Sequence, residues 1–392
     1  MTGVFLTLNA GSSSLKFAVF EAGNPSALPL IRGKIAELAG VSVFSAKDPS
    51  GAALDPGALT LGGAFSHEVV IAQLLPWLAA QLGDRPLLAV GHRVVHGGQF
   101  YDRPTLIAPD VLKQLETLVP LAPLHQPHNI AAIRAVSKWQ PDVAQVACFD
   151  TSFHRTQDHL AQLFALPRHL TDQGILRYGF HGLSYDYIAS ALPDHLGAQA
   201  GGRVIVAHLG NGSSMCAMKD RQSVATSMGF TALDGLMMGR RCGALDPGVV
   251  LYLMQEKGMS AAEIETLLYK ESGLFGVSGL TNDAQVLQDS DDPHAKEALD
   301  LFCYRAASIL GGLVPAIGGL DAVVFTAGIG ENSAFVRKHI CDRLAWLGLA
   351  LDDSANADNA TVISTAASRV RVLTLPTNEE AVVARACRRL LG

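Results

Sequence analysis

The sequence predicts an α/β protein of two domains, and three observations carry that prediction. Short apolar runs alternate with helical patterns along the chain, which indicates sheets layered with helices. The length, 392 residues of which 49% are hydrophobic, exceeds one ordinary core and suits two domains of typical size. One short word also occurs twice, as Leu8-Asn9-Ala10-Gly11-Ser12-Ser13-Ser14 and as Leu209-Gly210-Asn211-Gly212-Ser213-Ser214. Each copy joins an apolar run to a second alternating run, the pattern of strand, tight loop, strand. Such a turn gathers backbone N–H groups and hydroxyls in a concavity that suits a phosphate. Either copy alone reads as an ordinary hairpin turn, since Gly, Ser and Asn are the usual turn residues. The repetition, with Lys16 beside the first loop, favours two related halves facing one nucleotide phosphate chain.

From the N-terminus, alternation over 4–20 predicts the first strand pair. The stretch 40–63 is rich in Gly, Ala, Ser and Asp and reads as a loop-rich insertion. Apolar runs at 87–90, 143–149, 204–207, 322–326 and 370–375 predict strands. Amphipathic repeats at 108–118, 128–138, 261–269 and 334–344 predict helices between them. The most apolar stretch, 306–320, is short for a membrane span. It carries Gly311, Gly312, Pro315, Gly318 and Gly319, so it reads as a buried helix ending near the last glycine pair. After Pro376 come Asn378-Glu379-Glu380 and a helix whose basic end suits the helix dipole. A division into 1–150 and 151–379 puts one loop copy in each half, with 380–392 expected to pack back on the first.

Composition removes several classes of partner. Net charge is −6 with no basic stripe, so nucleic acid is not expected. The opening residues carry no basic segment before the apolar run and do not read as a signal peptide, so a cytoplasmic protein without a membrane partner is expected. The six cysteines are scattered, with no CxxC pair, as for reduced thiols in the cytoplasm.

Several clusters carry chemistry. Gly91-His92-Arg93-Val94-Val95-His96-Gly97-Gly98 follows a strand, and Arg93 there can aim a planar guanidinium at an anion or form a surface ion pair. Pro123-Leu124-His125-Gln126-Pro127-His128-Asn129 matches no standard zinc spacing, and a lone His125 could equally hold a loop carbonyl. Asp150, at the C-terminal end of a strand, could hold Mg²⁺ through water, accept a proton or cap the next helix. Arg177-Tyr178-Gly179-Phe180-His181-Gly182 places an imidazole beside an aromatic wall. Gly239-Arg240-Arg241-Cys242-Gly243 offers a second arginine for phosphate charge. Arginines and histidines on glycine turns suit phosphoryl transfer, which needs positioning and charge neutralisation more than covalent help. Finally, Gly328-Ile329-Gly330-Glu331-Asn332 follows a buried strand but completes neither a dinucleotide fingerprint nor a Walker loop. A nucleotide site lacking both, yet with two hairpin loops, points to the actin-like ATPase class.

Together these motifs closely resemble the acetate and propionate kinase family. The resemblance covers almost the whole chain and rests on NAGSSSLK, GHRVVHGG, PLHQPHN, FDTSFH, RYGFHG, HLGNGSS, MGRRCGALDPG, TAGIGEN and TNEE, in that order. It implies an actin-like fold of two duplicated, ribonuclease H-like halves around a nucleotide cleft. It also implies a homodimer that reversibly transfers the γ-phosphate of ATP to a short carboxylate with Mg²⁺ (or Mn²⁺). By the same resemblance Asn9 and Glu379 place the metal, and Ser12, Ser14 and Lys16 form the first phosphate loop. Arg93 and Arg241 flank the transferring group and the carboxylate, with His125 and His181 beside them and Asp150 as the central acid. His208, Leu209, Gly210, Asn211 and Gly212 form the second phosphate loop. Asp283, Ala284 and Gln285, with Gly328, Ile329, Gly330, Glu331 and Asn332, contact adenosine and ribose. Val95, Leu124 and Phe180 line the acyl pocket, with Ala232 next to it.

An acid substrate is already ionised at neutral pH and needs no general base, so Asp150 is expected to anchor Mg²⁺ or water. Direct in-line transfer without a phosphoenzyme is expected. The family usually has Pro at Ala232, Thr at Arg240, an acid at Ala244 and Arg at Gln285. The missing ring at Ala232 would widen the acyl pocket towards propionate, and Gln285 would loosen the purine contact. Another short-chain acyl kinase is the nearest alternative. A nucleotide-binding sensor would be expected to lose Arg93, Arg241, His181 or Glu379, all of which are present. A dehydrogenase is disfavoured by the incomplete dinucleotide fingerprint.

Overall fold

The computed structural model describes residues 3–24, 28–38, 41–57, 59 and 65–392. The chain divides into two compact units, Met1–Phe153 with Asn378–Gly392, and His154–Thr377.

The first unit holds β1 (Val4–Ala10), β2 (Ser14–Glu21), β3 (Ile31–Leu38), β4 (Val41–Lys47), β5 (Leu87–Val94), β6 (Thr105–Leu106) and β7 (Ala144–Phe149). They form one sheet in the order β4-β3-β2-β1-β5-β7-β6. β1, β5 and β7 run parallel, and the meander from β1 to β4 is antiparallel. β4 corrects the reading of 40–63 as loop-rich. Val41 to Lys47 pairs antiparallel with β3 at the sheet edge, and its exposed Val41 and Val43 hide the usual inward apolar signal. Residues 40, 58 and 60–63 of that stretch lie outside the described residues. Two helices, His67–Leu82 and Gln126–Trp139, bury Ile71, Leu74, Ala132 and Val136 against Leu6, Leu8 and Phe17 of the sheet. The C-terminal helix Glu379–Leu391 packs on β1 and β5. Its close approach requires Gly91, where a Cβ would lie 2.3 Å from Val383 Cγ1 and 2.8 Å from Cys387 Sγ.

The second unit holds β8 (Val204–Leu209), β9 (Ser213–Lys219), β10 (Gln222–Thr226), β11 (Ala322–Thr326) and β12 (Arg371–Thr374), in the order β10-β9-β8-β11-β12. An antiparallel meander of three strands is followed by two parallel strands. The series β3-β2-β1-β5-β7 has the same order and directions, so the repeated sequence word marks a repeated fold. The apolar stretch expected over 306–320 belongs to a longer helix, Pro293–Ile317. Asp292 caps it by accepting from the His294 amide, with Pro293 at its first position. Gly318, at φ 73°, closes it in the left-handed region. This helix is long and apolar enough to cross a membrane. Its Ala295, Ala298, Leu299, Phe302, Ala306 and Leu310 lie in the core of the unit.

Candidate active site

In the first unit, three parallel strands bring their C-terminal ends side by side. Leu8 of β1 pairs with His92 of β5, and Arg93 pairs with Cys148 of β7. Asn9, Arg93 and Asp150 are therefore neighbours by register, at the edge where open α/β sheets bind ligands. Arg93 forms a fork on Asp150, with Nε donating to Oδ1 at 2.9 Å and Nη2 to Oδ2 at 2.6 Å. Its Nη1 donates to Asn9 Oδ1 at 3.4 Å and lies 3.7 Å from Glu379 Oε2. The Asp150 side chain is 2% exposed and that of Arg93 21%. Burial alone would lower the Arg93 pKa, but the carboxylates of Asp150 and Glu379 raise it above the usual arginine value. The sequence left Asp150 open between metal anchor, base and helix cap. Both its oxygens accept from Arg93, so it is not a free base.

Mg²⁺ prefers oxygen ligands, keeps several waters and takes only one or two carboxylates besides substrate phosphates. No group of three His, Cys, Asp or Glu suited to a metal occurs among the described residues. The amide oxygen of Asn9 with the carboxylates of Asp150 and Glu379 supplies hard oxygens around one guanidinium. That donor set fits a phosphate-borne Mg²⁺ better than a caged one.

The first loop is pinned from below. Gly11 N donates to Ser14 O at 2.8 Å and closes the turn, leaving Ser12 and Lys16 exposed and Ser14 half-buried. His67 Nε2 holds Gly11 O at 2.9 Å, and burial followed by the nearby His128 lowers the His67 pKa. Asn129 joins the loop to the end of β5. Its amide donates to Ala10 O at 3.0 Å and accepts from Val95 N at 3.0 Å. Gln126 similarly accepts from His96 N and donates to His96 O. Leu124 and His125 precede that helix, and both are half-buried, as is Val95. In the PLHQPHN motif the sequence reading attended to the histidines and missed these two amides.

In the second unit, His181 opens the helix Gly182–Leu196 at φ 58°. Its ring stacks on His208 with centroids 4.2 Å apart. Gly212 lies between His181 and Arg241. A Cβ there would sit 3.3 Å from His181 Nε2 and 3.7 Å from Arg241 Nη1. Arg241 Nη1 donates to Ala232 O at 3.0 Å, so the residue expected beside the acyl pocket also seats the arginine. Gly179 (φ 75°) must be glycine, since a Cβ would lie 2.6 Å from the His154 ring. His154 is structural, with Nε2 on Phe180 O and Nδ1 on Ser223 Oγ, and burial pushes its pKa down to about 4. Phe180 itself is 2% exposed.

A cavity of about 260 Å³ opens beside the second loop. Gly210, Asn211, Asp283, Ala284 and Gln285 line it together with Gly328, Ile329 and Asn332. Asn282 and Ser333 complete it and were not expected. Asn282 Nδ2 donates to Asn211 Oδ1 at 3.0 Å, which ties the two loops together. Asp283 caps the helix Ala284–Gln288, while the Gln285 amide donates to Asp289. Three of the residues expected to contact the nucleotide do not line this cavity. Glu331 turns inward, with Oε1 accepting from Ala327 N at 2.8 Å and Thr377 N at 3.2 Å. Gly330 packs towards Ala207 O, and Leu209 is in the core. Beneath the wall lies Arg337, fully buried and without a carboxylate partner among the described residues. It donates to the carbonyls of Gly330, Glu331 and Asn356, and burial draws its pKa down to about 10.

The model of the acetokinase family matches residues 4–385. An acetate kinase from Rhodopseudomonas palustris (strain TIE-1) is 54% identical over 390 residues, 98% of each chain. Among solved structures, a propionate kinase from Francisella tularensis subsp. tularensis SCHU S4 superposes with a TM-score of 0.91 at 36% identity, covering 98% of both chains. Acetate kinase from Porphyromonas gingivalis gives 0.88 at 34% identity over 100% of both. With these neighbours the chain shares the two-domain, actin-like α/β fold expected from its sequence. By family model, close relatives and fold alike, the chain belongs to the acetokinase family.

Proposed function

We infer that the chain is an acetate kinase, transferring the γ-phosphate of ATP reversibly to acetate to give acetyl phosphate and ADP. The observation that carries this reading is the convergence of His181 Nε2 and Arg241 Nη1 on Gly212, in the unit whose second loop borders the cavity of about 260 Å³. Both groups are donors suited to phosphoryl oxygens. A carboxylate oxygen of the acid attacks the γ-phosphorus, the bond to the bridging oxygen breaks, and ADP leaves. No proton has to be removed, consistent with an Asp150 committed to Arg93. Arg93, held in place by Asp150, offers its exposed edge to the acid or the phosphoryl group. Val95 and Leu124, on neighbouring segments, supply apolar contact to the acyl methyl. Asn9, Asp150 and Glu379 would hold Mg²⁺, which supplies charge neutralisation on the phosphates. Transfer in one displacement inverts phosphorus.

The test is to trap acyl phosphate with hydroxylamine in the presence of Mg-ATP and acetate, propionate, butyrate or no acid. Acetate-dependent product is expected. ATP binding without product from any acid would overturn the reading. A second reading, propionate preference, is favoured by the half-buried Ala232 beside Arg241. One methylene is worth only about 1–3 kcal/mol, so the two kcat/KM values must be compared directly.

A homodimer fits the helix Pro247–Gln255, which buries none of its residues. It exposes Val249, Leu251, Tyr252 and Met254 in one uncharged stretch. No disulfide joins the cysteines among the described residues, and five of the six are buried, which fits a reducing cytoplasm.

A further inference from the structure

His181, Ser214 and Tyr185 form a continuous hydrogen-bonded chain in the second unit. His181 Nδ1 lies 2.8 Å from Ser214 Oγ, and the same oxygen is hydrogen-bonded to the Tyr185 hydroxyl. Ser214 and Tyr185 are fully buried, whereas His181 is half-buried and turns Nε2 towards Gly212 and Arg241. Tyr185 stands one helical turn after His181, on the same face of Gly182–Leu196, and Ser214 comes from β9. The same arrangement recurs on the stacked partner ring, where His208 Nδ1 lies 2.8 Å from Ser184 Oγ.

Proton accounting gives this chain a direction. Phosphoryl oxygens only accept hydrogen bonds, so an imidazole nitrogen aimed at one must carry hydrogen. A neutral imidazole has a single N–H, which leaves Nδ1 to accept. Ser214 must then donate to Nδ1 and accept from the phenol. Burial raises the Tyr185 pKa well above its usual value, so the phenol keeps the proton it has to offer. The stack disfavours charge on both rings at once, because two imidazolium rings with centroids 4.2 Å apart would repel.

We propose that Tyr185 and Ser214 are positioning residues that set the tautomer of His181. The phenol O–H donates to Ser214, Ser214 donates to His181 Nδ1, and the neutral ring presents Nε2–H to the transferring phosphoryl group. The proposal rests on the phosphoryl-transfer reading above.

The test uses the whole chain labelled with ¹⁵N-histidine, with His181→Gln identifying the His181 resonances. The wild type is expected in the Nε2–H tautomer. In Tyr185→Phe the tautomer is expected to move towards Nδ1–H. Its kcat should fall about tenfold or more, as when a transition-state donor is misdirected, with both KM values within about twofold. Ser214→Ala should behave alike, and Ser214→Thr should recover most of the activity. An Nδ1–H tautomer in the wild type would overturn the proposal, as would an unchanged tautomer and kcat in a folded Tyr185→Phe. If Tyr185→Phe does not fold, the wild-type spectrum and Ser214→Ala still decide. Absence of acyl-dependent turnover in the wild type would sink the phosphoryl reading, while the spectrum would judge the relay separately.

Discussion

Replacing Gly212 with alanine would place one methyl group where His181 and Arg241 converge. The added carbon would sit 3.3 Å from His181 Nε2, 3.6 Å from His181 Cε1 and 3.7 Å from Arg241 Nη1. Gly212 is not among the positive-φ glycines, so the backbone tolerates the change. Stability should hold or rise by about 0.4–1 kcal/mol, the usual gain from a less flexible unfolded chain. Catalysis should not hold. Donors act on a developing oxyanion at about 2.7–3.1 Å, and losing one costs about 10²–10³ in kcat. A methyl at this position either pushes the imidazole aside or fills the space that a phosphoryl oxygen would take. The expected loss is about 10² in kcat, or roughly 2.7 kcal/mol of barrier. KM for acetate should stay within about threefold, since the group lost acts mainly in the transition state. The hydroxylamine assay with a parallel thermal melt measures both effects. A folded Gly212→Ala enzyme with kcat within about twofold of wild type would refute the convergence argument.

Arg241→Leu is expected to lower kcat by about 10³ or more, and Arg241→Lys should recover little, because an ammonium lacks the planar fork that can anchor one nitrogen on Ala232 O while aiming another in a fixed direction. Near-normal kcat in either variant would remove Arg241 from the mechanism. Asn129→Asp keeps the acceptor for Val95 N but loses the donor to Ala10 O, so kcat/KM for Mg-ATP should drop with about 1–3 kcal/mol of stability; unchanged values would make the bridge incidental. Burial pushes His92, His96 and His154 each down to about 4. The unfolded chain therefore binds their protons first, and their contribution is complete above about pH 6.5 and lost as pH falls towards 4. Urea midpoints should decline over that window, and a flat profile from pH 7 to 4.5 would contradict it. Leu251→Glu places a charge on the exposed apolar helix and should yield monomers by light scattering; an unaltered dimer would move the interface elsewhere.

Much of the fold was legible because its causes are local. Alternating runs became β1, β2, β8 and β9, and Gly318 closed its helix because only the left-handed region ends it there. β4 was missed because an edge strand can leave its valines outside, which erases the inward pattern. The start of Pro293–Ile317 was missed because its first turns bury small alanines rather than large apolar residues.

Sequence alone determined which residue types are present for phosphoryl transfer, and the repeated word announced the repeated sheet. What only the tertiary structure decided is which polar atom meets which. Glu331 stands in the glycine-rich helix Ala327–Asn332 beside the cavity yet turns its carboxylate onto Ala327 N. Asn282 and Ser333 reach the cavity, and Ser214, inside a phosphate-loop word, goes instead to His181 and Tyr185. Periodicity and turn chemistry act over a few neighbouring residues. The choice of a hydrogen-bond partner across the chain follows from packing, which leaves each buried polar group few directions in which it can be satisfied.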